Sequence, residues 1–197
     1  MKSLHSHILR KIYLFSKNVL PLLAIGIMMA TLPKFTNSVQ STKLLSIPQN
    51  RPLPSSEVGE VTKVYDGDTI TVKRGFEQLE IRLACIDAPE LAQPLGKESK
   101  ANLQRLISAS DGQVLLVVLD TRDGRKTAEV FTSFNDQEKF LQEEQLKAGL
   151  AYVYEPSIDN CLNAESVKSA QAIAISNRAG IWAGNNIKPW DYRKAKR

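Results

Sequence analysis

The chain has 197 residues, 43% hydrophobic and 24% charged, which suits one globular domain with additional segments and excludes a collagen-like or low-complexity chain. The net charge of +5 is unevenly distributed: residues 1–56 hold seven of the 26 Lys and Arg residues and none of the 21 acidic ones, so residues 57–197 carry a net charge of −2. This excludes a generally basic surface on the folded part, and any binding of nucleic acid there must depend on a local cluster.

The first 38 residues are typical of an export signal. Basic residues precede an uncharged run over residues 18–33, which as a helix would be about 24 Å long and is shorter than the ~20 residues that span a bilayer. A cleaved signal peptide is therefore favoured. The alternative is that the segment is retained as a membrane anchor and the domain faces outside the cytoplasm. A polar linker without periodicity follows over residues 39–56. The expected location is secreted or periplasmic.

From residue 57 the pattern changes to short strands separated by turns. The patterns predict an ordered series of elements: strands over 58–64, 69–73 and 79–84, a helix over 96–109, strands over 114–119 and 128–132, a helix over 135–149, a short aromatic segment over 151–154 and a helix over 163–177. This order predicts an α+β fold, with a five-stranded antiparallel barrel of the OB type and three α-helices. The domain is expected over 57–184, followed by a frayed basic tail over 185–197.

The predicted domain contains no histidine, because His5 and His7 both lie in the signal region. Ser-His or Cys-His catalysis and a histidine-bound metal are therefore excluded, which leaves carboxylates, Arg, Lys and Tyr. Cys85 and Cys161 form a candidate disulfide if the protein is exported, and two buried free thiols are the alternative.

Four polar groups lie at strand ends or in loops: the DGDT turn over 66–69, the DAPE loop over 87–90, Arg82 and Arg125. Singly, each has an ordinary interpretation as a turn, a solvated loop or a surface ion pair. Together they combine oxygen ligands that suit a hard divalent cation with planar guanidinium groups that suit phosphate.

Residues 57–184 resemble the staphylococcal nuclease family in five stretches that occur in order: VTKVYDGDTITV, IRLACIDAPE, DGRKTAEVF, LQEEQLKAGLAYVYEP and SAQAIAISNRAGIW. The resemblance implies a Ca²⁺-dependent nuclease that hydrolyses the phosphodiester bonds of DNA and RNA. Little sequence specificity and a preference for single-stranded or frayed substrate are expected. A monomer without a protein partner is expected for so small a domain.

The resemblance also implies a metal site. It implies calcium ligands at Asp68, Asp87 and the backbone carbonyl of Ala88. Asp66 is expected to hold these ligands in position without contacting the metal itself. Two carboxylates and one carbonyl do not fill a shell of six to eight oxygens, so water and substrate phosphate are expected to complete it.

The remaining roles concern the reaction and the substrate. The resemblance implies that Glu90 activates or orients the attacking water and that Arg82 and Arg125 bind the phosphate. Tyr152 and Tyr154 match substrate-contacting tyrosines. A catalytically silent OB-type binding module is the alternative, and its expected mark would be loss of Arg82, Glu90 or Arg125, all of which are present.

The sequence departs from the family in the turn before Arg125. Thr121 and Asp123 stand where the family often carries an acidic and an aromatic residue, and Arg122 between them is expected to contact substrate. The departure affects substrate affinity and base preference more than the reaction.

Overall fold

The computed structural model describes residues 56–134 and 137–197, which belong to one unit spanning residues 48–197. The predicted signal region and all but the last residue of the predicted linker lie outside the described residues. In the described part of the chain, no helix is both long and apolar enough to cross a bilayer.

The described residues form eight strands and four α-helices, with two short 3₁₀ helices over Glu155–Asn160 and Gly180–Ala183. In chain order these are β1 (Ser56–Val64), β2 (Thr69–Arg74), β3 (Glu77–Leu83), β4 (Ile86–Asp87), α1 (Gly96–Ser108), β5 (Gln113–Arg122), β6 (Arg125–Phe134), β7 (Gln137–Phe140), α2 (Leu141–Lys147), β8 (Tyr152–Val153), α3 (Ala164–Ser176) and α4 (Pro189–Ala195).

Five of the strands close into a barrel. Strands pair in the order β3-β2-β1-β5-β6, and a parallel pairing between β3 and β6 closes the ring. The α+β class and the OB-type barrel are thus confirmed, but the expectation of an all-antiparallel barrel was wrong. Strands β1 to β3 alternate in direction, and β5 runs antiparallel to β1. Because β6 reverses again after β5, it must run in the same direction as β3.

The interior of the barrel is filled by the apolar faces that the sequence indicated. Ile81 and Leu83 of β3 are fully buried, as strand alternation requires. Leu103, Leu106 and Ile107 of α1 are also buried and belong to the same hydrophobic core. Arg82 lies between Ile81 and Leu83 on β3, so alternation points it to the opposite, more polar face of that strand.

The hairpin between β5 and β6 is longer than the sequence suggested. Residues 120–126 were expected to form a polar turn, but the strands continue to Arg122 and Arg125. Only Asp123 and Gly124 remain in the turn, with φ values of 50° and 77°. A two-residue turn with positive φ matches the twist of the strands that it joins.

The helix predicted to begin at Asn135 begins later. Asn135 itself lies outside the described residues, and residues 137–140 form β7, which pairs with β6. The rings of Phe131 and Phe140 stack with centroids 4.8 Å apart across this pair. Asn135 and Glu138 have the spacing of a helix-capping pair, which is why a helix was predicted from residue 135. Strand pairing and aromatic packing override this local pattern, and α2 begins at Leu141.

The C-terminal segment was expected to be a frayed tail and instead contains helix α4. Pro189 occupies the first turn, Asp191 adds an acidic group there, and Arg193 and Lys194 lie in the last turn. These are favourable positions for the helix dipole and for a proline without an amide hydrogen. The basic composition of the segment masked these helix signals.

Candidate active site

The turn between β1 and β2 places Asp68 in the interior. The carboxylate of Asp66 accepts a hydrogen bond from the backbone N–H of Asp68 (3.0 Å), which closes an Asx turn. Gly67 lets this turn pack tightly, because a Cβ there would collide with Ser99 of α1 and with the Cβ of Ala88. The side chain of Asp66 thus fixes the backbone of the turn that carries Asp68.

Two buried carboxylates face one guanidinium. Asp68 is 2% exposed and Asp87 is 0% exposed. Arg82 reaches both, with Nη1 3.2 Å from Asp68 Oδ1 and Nη2 2.8 Å from Asp87 Oδ1. The backbone N–H of Ala88 donates to Asp68 Oδ2 at 2.7 Å. Strands β2, β3 and β4 therefore bring their polar ends to one point.

Burial raises the pKa of Asp68 to about 7, because the charged carboxylate loses its water. The positive charge of Arg82 and the N–H of Ala88 oppose this rise, whereas the negative charges of Asp66 and Asp87 add to it. Negative charge at Asp68 is therefore only partly balanced by Arg82.

Arg193 of α4 joins Glu90 to Asp87. Its Nη2 lies 2.7 Å from Asp87 Oδ2, and its Nη1 lies 3.1 Å from Asp87 Oδ1 and 2.7 Å from Glu90 Oε1. The carboxylate hydrogen bonds hold the pKa of Arg193 above its ordinary value. Sequence reasoning missed Arg193 because it assigned this segment to a tail. The helix signals around Pro189 could have found it.

Arg125 approaches the same cluster from β6. Its Nη2 donates to the hydroxyl of Thr69 (3.2 Å), and that hydroxyl donates to Asp68 Oδ1 (2.9 Å). Its Nε lies 3.0 Å from Glu80 Oε1, which is ion-pair distance but without hydrogen-bond alignment. The sequence indicated no role for Thr69, the last residue of the DGDT turn. In the structure its hydroxyl links Arg125 to Asp68.

The structure therefore brings together the candidate catalytic residues and the two candidate metal-binding carboxylates. They form one continuous chain of polar contacts, in the order Arg125, Thr69, Asp68, Arg82, Asp87, Arg193 and Glu90. Barrel closure accounts for this, since β3 pairs with both β2 and β6.

The three candidate substrate contacts are placed differently. Tyr152 is 4% exposed, and its ring packs edge-on against Trp182 and Trp190. Burial raises the pKa of its hydroxyl. Tyr154 is partly exposed and lies 5.9 Å from Trp190 between ring centroids. The exposed side chain of Arg122 forms an ion pair with Asp120 at 2.7 Å. Arg122 is the strand partner of Arg125, but within the described residues no ion pair or hydrogen bond of its side chain joins it to the cluster.

The donor set fits a hard cation with an incomplete protein shell. Asp68 and Asp87 supply carboxylate oxygens that one guanidinium spans, and Ala88 lies buried beside them. Across residues 56–134 and 137–197, no three acidic or cysteine side chains converge as a metal site. A cation here would therefore have two carboxylates and backbone or solvent oxygens, a set that suits Ca²⁺ with open positions.

Cys85 and Cys161 are joined by a disulfide, with their Cα atoms 6.3 Å apart. Cys85 lies between β3 and β4 at a φ of 68°, and its carbonyl accepts a hydrogen bond from the N–H of Tyr154 (2.9 Å). The bond links the strand that carries Arg82 to the segment before α3.

Comparisons with known proteins show the family to which the chain belongs. A family model described as staphylococcal nuclease homologue matches residues 80–184. An uncharacterized endonuclease of Haemophilus influenzae is 32% identical over 139 residues, which cover 70% of this chain and 73% of the relative. An uncharacterized endonuclease of Escherichia coli O157:H7 is 31% identical over 142 residues, which cover 70% and 86%. The staphylococcal-like nuclease CAN1 of Arabidopsis thaliana is 36% identical over 124 residues, 61% of this chain but 35% of the relative.

The fold and the site thus define an OB-barrel domain with a cluster of carboxylates and arginines at the ends of its strands. The chain belongs to the staphylococcal nuclease family.

Proposed function

We propose that this chain is a Ca²⁺-dependent nuclease that hydrolyses phosphodiester bonds of DNA and RNA outside the cytoplasm. The observation that carries the proposal is the unbroken series of contacts from Arg125 to Glu90. It places two candidate phosphate-binding cations and a candidate base around two buried aspartates. Family membership and the names of the endonuclease relatives support the same reaction class.

The arginines would stabilise the charge on the phosphate. Guanidinium groups stay protonated and donate parallel hydrogen bonds to phosphate oxygens. The side chains of Arg82 and Arg125 are 27% and 40% exposed, so each can be reached by a substrate from solvent. Asp68 and Thr69, which lie between them, hold both groups on the same side of the barrel.

Glu90 would position the attacking water and accept its proton. Its side chain is 34% exposed, and Arg193 engages Oε1, so Oε2 is the oxygen through which it would contact water. When bound at Asp68 and Asp87, Ca²⁺ would polarise the phosphate. General-base assistance is typically worth about 10²–10⁴-fold in rate.

The substrate class follows from the kind of contacts available. Phosphate-binding arginines carry no sequence information, and aromatic rings such as that of Tyr154 stack on any base. Low sequence specificity and a preference for single-stranded or frayed DNA and RNA are therefore expected. The contacts need only one copy of the chain, which is consistent with a monomer.

The test is cleavage of single-stranded DNA and RNA oligonucleotides by the purified chain, with Ca²⁺ and then with a Ca²⁺ chelator. We expect cleavage that the chelator abolishes and that Glu90→Gln lowers by about 10²–10⁴-fold in kcat, with KM changed little. Glu165→Gln serves as a control and should leave cleavage unchanged, because the side chain of Glu165 is 91% exposed and pairs with Lys168, away from the candidate site. Nucleic-acid binding without Ca²⁺-dependent cleavage would instead favour the silent binding module.

The disulfide supports a location outside the cytoplasm, where such bonds persist. We expect protein recovered from the medium or the periplasm to have Cys85 and Cys161 bonded. Intact mass after alkylation without reductant should then show no added label, whereas two labels would contradict the disulfide between Cys85 and Cys161. The same measurement gives the N-terminal residue, and so whether the segment over residues 18–33 is removed or kept as an anchor.

A further inference from the structure

Helix α4 is fixed against the barrel beside the site. The ring of Trp190 lies 5.8 Å from that of Tyr152 and 5.9 Å from that of Tyr154, between centroids. Just before the helix, the carbonyl of Ile187 accepts a hydrogen bond from Gln93 Nε2 at 2.8 Å. The partners belong to two separate segments, residues 152–154 and the loop that carries Gln93, so the position of α4 does not depend on Arg193 alone.

Arg193 uses most of the hydrogen-bonding capacity of Asp87. A carboxylate has about four lone-pair positions, two on each oxygen. Asp87 Oδ1 accepts from Arg82 (2.8 Å) and from Arg193 (3.1 Å), and Oδ2 accepts from Arg193 (2.7 Å). One position on Oδ2 remains, directly beside a guanidinium. A cation that binds Asp87 must therefore approach a positive charge or take a position that Arg193 now holds.

The charges at this point are nearly balanced without a metal. Asp68, Asp87 and Glu90 face Arg82 and Arg193, and both Asp87 and Asp68 are buried. Attraction of a divalent cation to the carboxylates is thus reduced by two guanidinium groups, one of which comes from a separate C-terminal helix. Arg82 is shared by both aspartates, whereas the ion pairs of Arg193 within the described residues join it to Asp87 and Glu90.

We propose that Arg193 is a positioning residue of this site, which holds Asp87 and Glu90 in place of a divalent cation and competes with that cation for Asp87. The inference rests on the proposed function, since it takes Asp87 as a metal ligand. Arg193 keeps the two carboxylates close and oriented while the site lacks metal, at the cost of a weaker affinity for Ca²⁺.

The test is a calorimetric titration of the purified protein with Ca²⁺ in the absence of nucleic acid. Removing the competing charge in Arg193→Gln should lower the Ca²⁺ dissociation constant by about tenfold. Arg193→Lys keeps the charge and should stay close to the wild-type value. Lys194→Gln is the matched control: Lys194 lies on the same helix, its side chain is 76% exposed, and its partner is Asp191. It should change the constant by less than about twofold.

Three results would overturn the inference. Unchanged or weaker Ca²⁺ binding by Arg193→Gln, in a protein whose wild type binds Ca²⁺ and cleaves, would refute the competition and leave the proposed function intact. An equal increase in Ca²⁺ affinity in Lys194→Gln would show that the effect comes from the net charge of the protein and not from the contact between Arg193 and Asp87. Absence of Ca²⁺ binding in both the wild type and Arg193→Gln would refute the competition, whereas the calcium dependence is decided separately by cleavage with and without the chelator.

Discussion

Arg82 is the residue through which the two buried aspartates act as one unit. It lies on the solvent-facing side of β3, yet its guanidinium reaches inward to Asp68 and Asp87. Burying a carboxylate is costly unless it is paired and hydrogen-bonded. Arg82 therefore stabilises the fold, because it compensates the charge of both buried aspartates.

Loss of Arg82 should consequently destabilise the metal-free protein. We expect Arg82→Gln to lower the free energy of unfolding by about 3 kcal/mol, because removal of one partner leaves buried charge uncompensated. Urea denaturation in the presence of a chelator measures this. Arg122→Gln is the control: its side chain is 85% exposed, and its ion pair should contribute less than about 1 kcal/mol. Equal effects of the two substitutions would contradict the bridging role of Arg82.

Part of the cluster was predictable from the chain alone. Arg82, Asp87 and Glu90 lie within nine positions on one strand and the loop after it, so sequence proximity nearly ensures that they meet. Asp68 and Arg125 join them only through strand pairing. The family resemblance implied this pairing, but the periodicity of the sequence does not show which strands pair. Arg193 was missed because its segment was assigned to a tail. The helix signals around Pro189 indicate α4, but only the folded structure shows that this helix lies against Asp87, 106 residues earlier in the chain.

At the scale of elements, the sequence indicated which segments form strands better than where they end. The polar residues between β5 and β6 suggested a long turn, but pairing with the neighbouring strand extends the ladder to Arg122 and Arg125. Pairing with β6 likewise converted residues 137–140 from predicted helix to β7. In both places a long-range partner decided the local structure, and one sequence does not show that partner.

One carboxylate connects three strands of the barrel. Glu57 of β1 accepts hydrogen bonds from Lys126 of β6 at 2.8 Å to each oxygen, and Arg74 of β2 lies 2.8 Å from Oε2. The hydrogen bond from Lys126 lowers the pKa of Glu57 below its ordinary value of 4.5, against a smaller opposing effect of burial. Glu57 therefore binds its proton less readily in the folded protein than in the unfolded chain.

This sign predicts how stability depends on pH. A lowered folded pKa gives stabilisation that is present above the unfolded value of 4.5 and is lost as the pH falls through the folded pKa. We expect Glu57→Gln to melt below the wild type at about pH 7 and to approach it at about pH 3. Glu165→Gln, with a side chain 91% exposed, should show no such trend. A constant difference between wild type and Glu57→Gln across this range would refute the assignment.

At the scale of the whole molecule, the net positive charge lies outside the part of the chain that carries the candidate site. The high isoelectric point, about 9.2, arises from residues 1–56, whereas residues 57–197 carry a net charge of −2. A folded part of this kind does not attract nucleic acid generally. Under the proposed function, affinity for nucleic acid comes from the few cations at the candidate site, chiefly Arg82 and Arg125.

The salt dependence of binding should therefore be shallow. For single-stranded nucleic acid, the logarithm of the binding constant falls with the logarithm of salt concentration with a slope of about −0.7 for each phosphate neutralised. Two arginines predict a slope of about −1.4. The measurement is binding of a single-stranded oligonucleotide to the Glu90→Gln variant lacking residues 1–38, over a range of salt concentrations at constant Ca²⁺. Arg125→Gln should reduce the slope by about 0.7, and a slope steeper than about −4 would show that a wider basic surface takes part.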